Sequence, residues 1–385
     1  MDPRLGTPAL DRLRKRTSEK WRAYPPDVLP AFVAEMDFDL AAPIVAAVTA
    51  ALAAGDCGYG YKGELGDAFA GFAEKRLNWS PDPALVFAIP DVMTGVVVMI
   101  QALTPPKAGV VINPPVYPPF FERLRFADRR VVEAPLRRAH DGRYDLDLEA
   151  IDRALAGVGV DAYLLCSPHN PTGRVWSRQD LASVADICQR RGVLLLVDEI
   201  HGPLVLPGAH HIPFGSLDHE MATRSITFSS ATKAFNIPGL KCGVAVAGSA
   251  GHAAAARERW EALQGGQVGV LASVAAFTES LPWLDAVLAQ LGENRSLLSR
   301  LLAEQLPGVR YVPPEASFLA WLDCRQLGLG DDPARAFLER GRVALSSGPA
   351  FGAPGTGFAR LNIGTSPELM AEAVRRMAAA ATSAL

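Results

Sequence analysis

The chain has little cysteine: Cys57, Cys166, Cys188, Cys242 and Cys324 are the five in 385 residues. They are odd in number, far apart and form no C-x-x-C pair, which argues against a disulfide framework and against a zinc site. Cys166 and Cys242 sit in apolar, strand-like runs, where a small buried hydrophobe is the expected role and a nucleophile the alternative. Charge of one sign is also missing. The net charge is -3 and the basic residues are dispersed, so the chain lacks the footprint of a nucleic-acid binder. The one dense run, Arg12-Leu13-Arg14-Lys15-Arg16, reads as one face of a solvated helix. No apolar run reaches the roughly 18 residues that a bilayer span needs, and Met1-Asp2-Pro3-Arg4 lacks an apolar signal region. The expectation is a cytoplasmic protein without membrane or nucleic-acid partners. There is no internal repeat, and no low-complexity linker beyond an alanine-rich tail.

What is present is length and apolar content. With 49% hydrophobic and 21% charged residues, a chain of this size buries a large core and is expected to divide into two domains. From about residue 85 to 250, short apolar runs alternate with stretches of helical spacing, the pattern of a mostly parallel sheet with covering helices. Strands are expected at 85–89, 110–112, 130–133, 162–166, 193–197, 225–228 and 243–247. Residues 180–191 have helical periodicity and end in basic residues before Gly192, a helix C-terminus. Beyond them a long helix over 283–306 is stopped by Pro307-Gly308. Strands at 317–322 and 358–363 and helices at 333–340 and 368–381 follow. The fold class expected is α/β, with a mostly parallel central sheet and a smaller α+β C-terminal domain. An N-terminal segment, 1–45, would pack on the small domain, 46–282 would form the large domain and 283–385 the small one.

Ser229-Ser230-Ala231-Thr232-Lys233 follows the apolar run Ser225-Ile226-Thr227-Phe228, and ligands of open α/β sheets bind at the carboxyl ends of strands. An amine attacks a carbonyl only when neutral, so a working lysine needs burial or a neighbouring positive charge to lower its pKa. Lys241 is placed to supply that charge. Lys233 is therefore the candidate for Schiff-base chemistry with an aldehyde, against the plain alternative of a solvated loop lysine.

Leu194-Leu195-Leu196-Val197-Asp198-Glu199-Ile200-His201 puts a carboxylate directly after an all-apolar strand, and a buried carboxylate needs a positive partner. A protonated pyridine nitrogen is one, and pyridoxal phosphate carries it beside an aldehyde that a lysine captures. An aspartate there can equally be a helix cap or a metal ligand. In Ser167-Pro168-His169-Asn170-Pro171-Thr172-Gly173-Arg174 the prolines and glycine make a rigid turn. Asn170 can aim an amide N–H at a phenolate-like ring oxygen, while His169 by itself reads as structural. The helix start at Asp91-Val92-Met93-Thr94 offers free N–H groups and a favourable dipole to a phosphate, joined by Ser230, Thr94 and Lys241. Tyr117, in a proline-stiffened loop, can stack on a flat cofactor ring or be an ordinary aromatic. Tyr61, in Gly58-Tyr59-Gly60-Tyr61, can present its hydroxyl to a phosphate across a subunit interface. Arg360 lies in a strand-like run, where its fork can hold a carboxylate in two hydrogen bonds, with a surface salt bridge as the alternative.

Taken together, Asn170-Pro171-Thr172-Gly173, Asp198-Glu199-Ile200-His201 and Ser230-Ala231-Thr232-Lys233, in this order, resemble a fold-type I pyridoxal-phosphate (PLP) enzyme of the class I/II aminotransferase superfamily. More narrowly, Lys20-Trp21, Ala34-Glu35-Met36-Asp37-Phe38, Gly58-Tyr59-Gly60-Tyr61, the 167–176 loop and Phe235-Asn236-Ile237-Pro238-Gly239-Leu240 resemble the MalY/PatB type of cysteine-conjugate C-S beta-lyase, over essentially the whole chain. The resemblance implies that Lys233 binds the cofactor aldehyde and then shuttles protons at the substrate α-carbon. It implies that Asp198 keeps the ring nitrogen protonated and Asn170 bonds the ring hydroxyl, with His201 close by, and that Tyr117 stacks on the ring. Val92, Met93, Ser230, Lys241 and a neighbouring subunit's Tyr61 would hold the phosphate, and Arg360 would grip the substrate carboxylate. A homodimer with shared active sites follows, acting on a small amino acid and needing no metal. Glu35 stands where the family usually has Asp, in a segment near the substrate, and Ser167 stands where Asn is common. The reaction implied is cleavage of an S-substituted cysteine to thiol, pyruvate and ammonia. Transamination, a specialised decarboxylation or oxidative deamination of a bulky cysteine conjugate, and a mainly regulator-binding role are the alternatives.

Overall fold

The computed structural model describes residues 5–261, 263 and 265–382; the opening Met1–Arg4 lies outside them. Seven strands form the central sheet: β1 (Val86–Ile89), β2 (Gly109–Ile112), β3 (Arg130–Glu133), β4 (Val160–Cys166), β5 (Leu194–Asp198), β6 (Ser225–Ser229) and β7 (Gly243–Ala247). Their spatial order is β1-β7-β6-β5-β4-β2-β3. β7 runs antiparallel to both its neighbours, and the remaining pairings are parallel. Up to its last residue, Asp198, β5 is leucine and valine with no polar alternation, because helices cover both faces of such a sheet. Each of the seven runs expected from the sequence is a strand here.

The helices that cover the sheet are bounded by local chemistry. Arg178–Arg191 opens on a capping box, in which the Asp180 N–H donates to Ser177 Oγ and the Ser177 N–H to Asp180 Oδ2. It closes on Gly192 at φ 66°, a left-handed conformation that glycine adopts without strain. In β4, β5 and β6, Asp198 is in register with Cys166 on one side and Phe228 on the other. The three loops that follow these strands therefore emerge side by side at one edge of the sheet.

The second sheet is antiparallel, in the order Arg310–Tyr311, Leu319–Asp323, Phe358–Asn362, Ser346–Ser347. Helices Leu281–Gln305, Pro333–Gly341 and Pro367–Thr382 accompany it. The N-terminal segment runs along this sheet: Leu29–Pro30 pairs in parallel with Val343–Ala344, and the Asn362 amide Nδ2 donates to the carbonyls of Val33 and Glu35. Lys20 and Asp37, both buried, form an ion pair at 2.9 Å. Losing one partner of such a pair strands the other charge, at a cost of about 3–5 kcal/mol.

The basic run near the N-terminus departs from expectation. Its helix is confined to Leu10–Leu13. Arg12 bridges Asp39 at 3.1 Å, and Arg16 donates to the carbonyls of Met36, Asp37 and Phe38. Arg12, Arg14 and Lys15 stay exposed, as a solvated face would be, while Arg16 is partly buried and holds the 36–38 segment, whose carbonyls take guanidinium donors. Among the described residues no single helix is long and apolar enough to cross a membrane, although Gln267–Glu279 and Leu281–Gln305 would together, across a 78° bend.

Candidate active site

Lys233 owes its position to a cap. β6 ends at Ser229, and Ser230 starts the short helix Ala231–Ala234 by accepting the Thr232 N–H on its hydroxyl at 3.0 Å. That hydroxyl also donates to the Cys242 carbonyl at 2.6 Å. The Lys233 ammonium reaches the Ala34 carbonyl of the N-terminal segment at 3.0 Å. Burial lowers its pKa to about 8, with the Arg360 charge the next cause. Lys241, which the sequence had suggested as that charge, adds least of the groups acting on it. It is an exposed side chain 3.5 Å from Asp91 Oδ2.

Asp198 is buried and accepts one backbone N–H, from Ile200 at 3.1 Å. It forms no ion pair among the described residues, and burial raises its pKa to about 7. It caps no helix, and no group of three or more metal-ligating side chains occurs among the described residues. What this carboxylate lacks is a cation.

Lys233, Asp198, Asn170, His201, Tyr117 and Val92–Met93 share one cavity of about 220 Å³. At one end the helix Val92–Leu103 begins. Its cap, Asp91, takes the Thr94 N–H on Oδ1 and the Gly95 N–H on its carbonyl, which leaves the N–H groups of Val92 and Met93 without partners inside the helix. Asn170 accepts from Arg360 Nη1 on Oδ1 at 3.0 Å, so its Nδ2 is the group left to donate. His201 is buried with Nδ1 unpartnered and, by burial and the neighbouring Lys233 and Arg360 charges, is held neutral with a pKa of about 3. Burial raises the Tyr117 pKa, so its phenol stays protonated at neutral pH. His169 is structural, bonded to the Pro115 carbonyl at 2.8 Å and packed edge-on to Trp176.

Arg360 departs furthest from the plain alternative. It is 6% exposed, with Nη1 on Asn170, Nη2 on the Phe32 carbonyl and Ser346 Oγ, and its plane over Phe351 at 4.9 Å. Its Nε is buried without a partner. No carboxylate forms an ion pair with it among the described residues, so it is a buried cation without a counter-ion rather than a surface salt bridge. Burial lowers its pKa to about 10, which leaves it charged.

Three residues named from the sequence lie elsewhere. Ser230 spends its hydroxyl on the cap and on Cys242, and Thr232 lines the cavity in its place. Tyr61 is 77% exposed and outside the cavity. The Glu35 carboxylate accepts from Ser18 Oγ at 2.7 Å and borders a separate apolar groove beside Leu40 and Val45; it is the carbonyl of Ala34, one residue before, that faces Lys233. Sequence reasoning missed Arg123 and the Ala34 and Phe32 carbonyls, and gave Thr232, whose hydroxyl follows the strand, no role of its own. For Arg123 the available signal was its spacing of four from Pro119, one helical turn past the Tyr117 loop.

This donor set fits PLP. Asp198 is a buried carboxylate without a cation and would meet the ring nitrogen; Val92 and Met93 N–H groups would meet the phosphate; Lys233 is an amine poised near neutrality for an aldehyde. The family Aminotransferase class I and II matches residues 58–377 of the chain. A candidate cystathionine beta-lyase of Mycobacterium leprae (strain TN) is 44% identical over 96% of this chain and 96% of its own. The cystathionine beta-lyase PatB of Bacillus subtilis (strain 168) is 35% identical over 92% of each. Among solved structures, cystalysin from Treponema denticola, which contains pyridoxal 5'-phosphate, superposes with a TM-score of 0.90 at 25% identity, covering 97% of this chain and 98% of that one.

Proposed function

Because this chain belongs to the aminotransferase class I and II family, whose members use PLP, we propose that it is a PLP-dependent C-S beta-lyase. It converts an S-substituted cysteine and water to a thiol, pyruvate and ammonia. The observation that carries an amino-acid substrate is Arg360, a buried guanidinium without a carboxylate, beside the cavity that holds Lys233 and Asp198. Relatives of 35–44% identity that bear the lyase name support the choice of reaction.

Bound PLP supplies an aldehyde that captures the substrate amine and a protonated ring that takes up the electron pair freed at the α-carbon. Arg360 holds the substrate carboxylate in a two-point fork and so sets which α-bond faces Lys233. The Lys233 amine, neutral above a pH of about 8, accepts the α-proton. The β-carbon to sulfur bond then breaks, sulfur leaves with its electron pair and takes a proton, and the three-carbon remainder is hydrolysed to pyruvate and ammonium. Asp198 would stay ionised against the ring nitrogen, Asn170 would donate Nδ2–H to the ring oxygen with His201 beside it, and Tyr117 would stack on the ring. Val92, Met93, Thr232 and Lys241 would hold the phosphate. The N-terminal segment to residue 45 belongs with a small domain of residues 283–385, around a large domain of 46–282.

Holoenzyme incubated with cystathionine or S-alkylcysteines is expected to release thiol and pyruvate in equal amounts without a keto acid. Strict dependence on a keto-acid acceptor would instead assign transamination.

The exposed Tyr61 belongs to a second subunit's site in this reading. Sedimentation of the holoenzyme should therefore report twice the 41.0 kDa chain mass, and a monomer removes Tyr61 from the site. The enzyme is placed in the cytoplasm, where cell fractionation should recover its activity.

A further inference from the structure

A second cavity, of about 260 Å³, lies where the hairpin of Arg137–Arg138 and Tyr144–Asp145 and the turn at 172–174 meet the antiparallel sheet. It shares no lining residue with the cofactor cavity. Four arginines line it, Arg138, Arg143, Arg174 and Arg310, against two carboxylates, Glu315 and Asp323. Each carboxylate is already divided between two guanidiniums. Glu315 takes Arg143 and Arg174, at 2.9 and 2.6 Å, and the buried Asp323 takes Arg138 and Arg325, each at 2.8 Å. Arg310 stands opposite Asp323 in the strand register, yet its exposed side chain has no hydrogen bond or ion pair among the described residues. Arg138 Nε is buried without a partner. The Tyr144 hydroxyl accepts from Trp321 Nε1 at 3.4 Å and donates to no described group. The cavity therefore holds surplus positive charge and unused donors. Its apolar wall is aromatic: Tyr144, Trp321 and Phe358 line it, the last two stacked with an angle of 11° between their planes. Apolar walls with a few convergent polar groups are the form of a small-molecule site.

Two sides of this cavity lead to Arg360. Trp321 is in register with Arg360 on the neighbouring strand. Its indole meets Phe351 edge-on at 5.1 Å, and Phe351 packs against the Arg360 guanidinium at 4.9 Å. Along the other side, Thr172 and Gly173 follow closely on Asn170, whose Oδ1 accepts from Arg360 Nη1. We propose that this cavity is an effector site for an aromatic carboxylate, which adjusts the hold of Arg360 on the substrate carboxylate. The effector's carboxylate takes up the surplus charge, of which Arg310 is the unpaired part, in the charge-assisted contacts arginine makes with planar oxyanions. Its ring packs on the aromatic wall. A ligand seated on Trp321 that favours one setting of Phe351 shifts Arg360 by that preference, and by linkage the substrate changes the ligand's affinity by the same factor. The effect on turnover rests on the reading of Arg360 given above; the binding does not.

Calorimetry on the holoenzyme should show saturable binding of benzoate and about tenfold weaker binding of the neutral benzamide, the difference that a hydrogen bond to a charged group makes. Arg310→Gln should weaken benzoate about tenfold, spare benzamide, and leave KM for S-methylcysteine in the absence of benzoate unchanged. Arg310→Lys should restore part of the benzoate affinity. In the unaltered enzyme, KM for S-methylcysteine should move to a plateau as benzoate saturates, and Trp321→Phe should shrink that shift. Benzoate binding that Arg310→Gln leaves untouched overturns the proposal, as does a KM that rises without limit, since both belong to an anion competing at Arg360. A KM that benzoate does not move overturns it as well. If S-methylcysteine yields no thiol and pyruvate, it is the lyase reading that fails, and the calorimetry still decides whether the cavity binds the carboxylate.

Discussion

Lys233→Ala is expected to lower kcat/KM for thiol release by about 10²–10⁴-fold, the contribution of a positioned acid-base group, and to abolish covalent cofactor attachment. Borohydride treatment of the unaltered holoenzyme should leave the cofactor's mass on the peptide containing residue 233, and the variant should show none. The lowered pKa adds a pH dependence with a definite sign. An amine with a pKa of about 8 is mostly protonated below that value and neutral above it, and the neutral form captures an aldehyde. The rate at which apoprotein takes up PLP should therefore rise with pH up to about 8 and level off beyond it. An ordinary lysine would show that rise near pH 10. Cofactor found on Lys241, the other lysine lining the cavity, would overturn the assignment.

Asp198→Asn is expected to cost turnover about 10²–10³-fold, since an amide does not hold the ring nitrogen's proton and a buried ion pair loses about 3–5 kcal/mol when one partner is removed. The apoprotein should behave in the opposite way. Its Asp198 has a pKa of about 7, above the 3.8 of an unfolded chain, so the unfolded state gives up that proton first as pH rises. This group therefore withdraws stability from the apoprotein between about pH 4 and pH 7. Asparagine keeps the Ile200 N–H contact and removes the charge. Melting curves of the two apoproteins should favour the variant more at pH 8 than at pH 5. A variant that melts lower at pH 8, or that turns over normally, contradicts the role given to this carboxylate.

Much of this arrangement is readable along the chain, and the reasons are local. The strands of the central sheet are apolar runs bounded by glycine, proline or charge, and the loops that matter follow them directly. Asp198 after Val197 and Lys233 after the Ser225–Ser229 strand are placed by chain connectivity alone. What escaped depends on contacts between distant segments. Ser230 looks like a phosphate hydroxyl until the Cys242 carbonyl, twelve residues on, claims it. Lys241 looks like the charge acting on Lys233, but Arg360, from the other sheet, is the larger influence. Arg16 looks solvated like the rest of its run because its acceptors lie some twenty residues away. No periodicity reports that Arg360 is buried without a carboxylate, because that is a property of its surroundings and not of its neighbours in the chain.

The contact between Lys233 and the Ala34 carbonyl, and that between Arg360 and the Phe32 carbonyl, join the earliest and latest parts of the chain at one place. The segment that supplies both carbonyls pairs with Val343–Ala344, close to the other terminus. Synthesis proceeds from the N-terminus and early parts of a chain order first. On the ribosome, the Lys233 turn is therefore made long before the wall that closes over it has a strand to rest on. A chain synthesised only as far as the Lys233 turn lacks the Val343–Ala344 strand on which that wall rests.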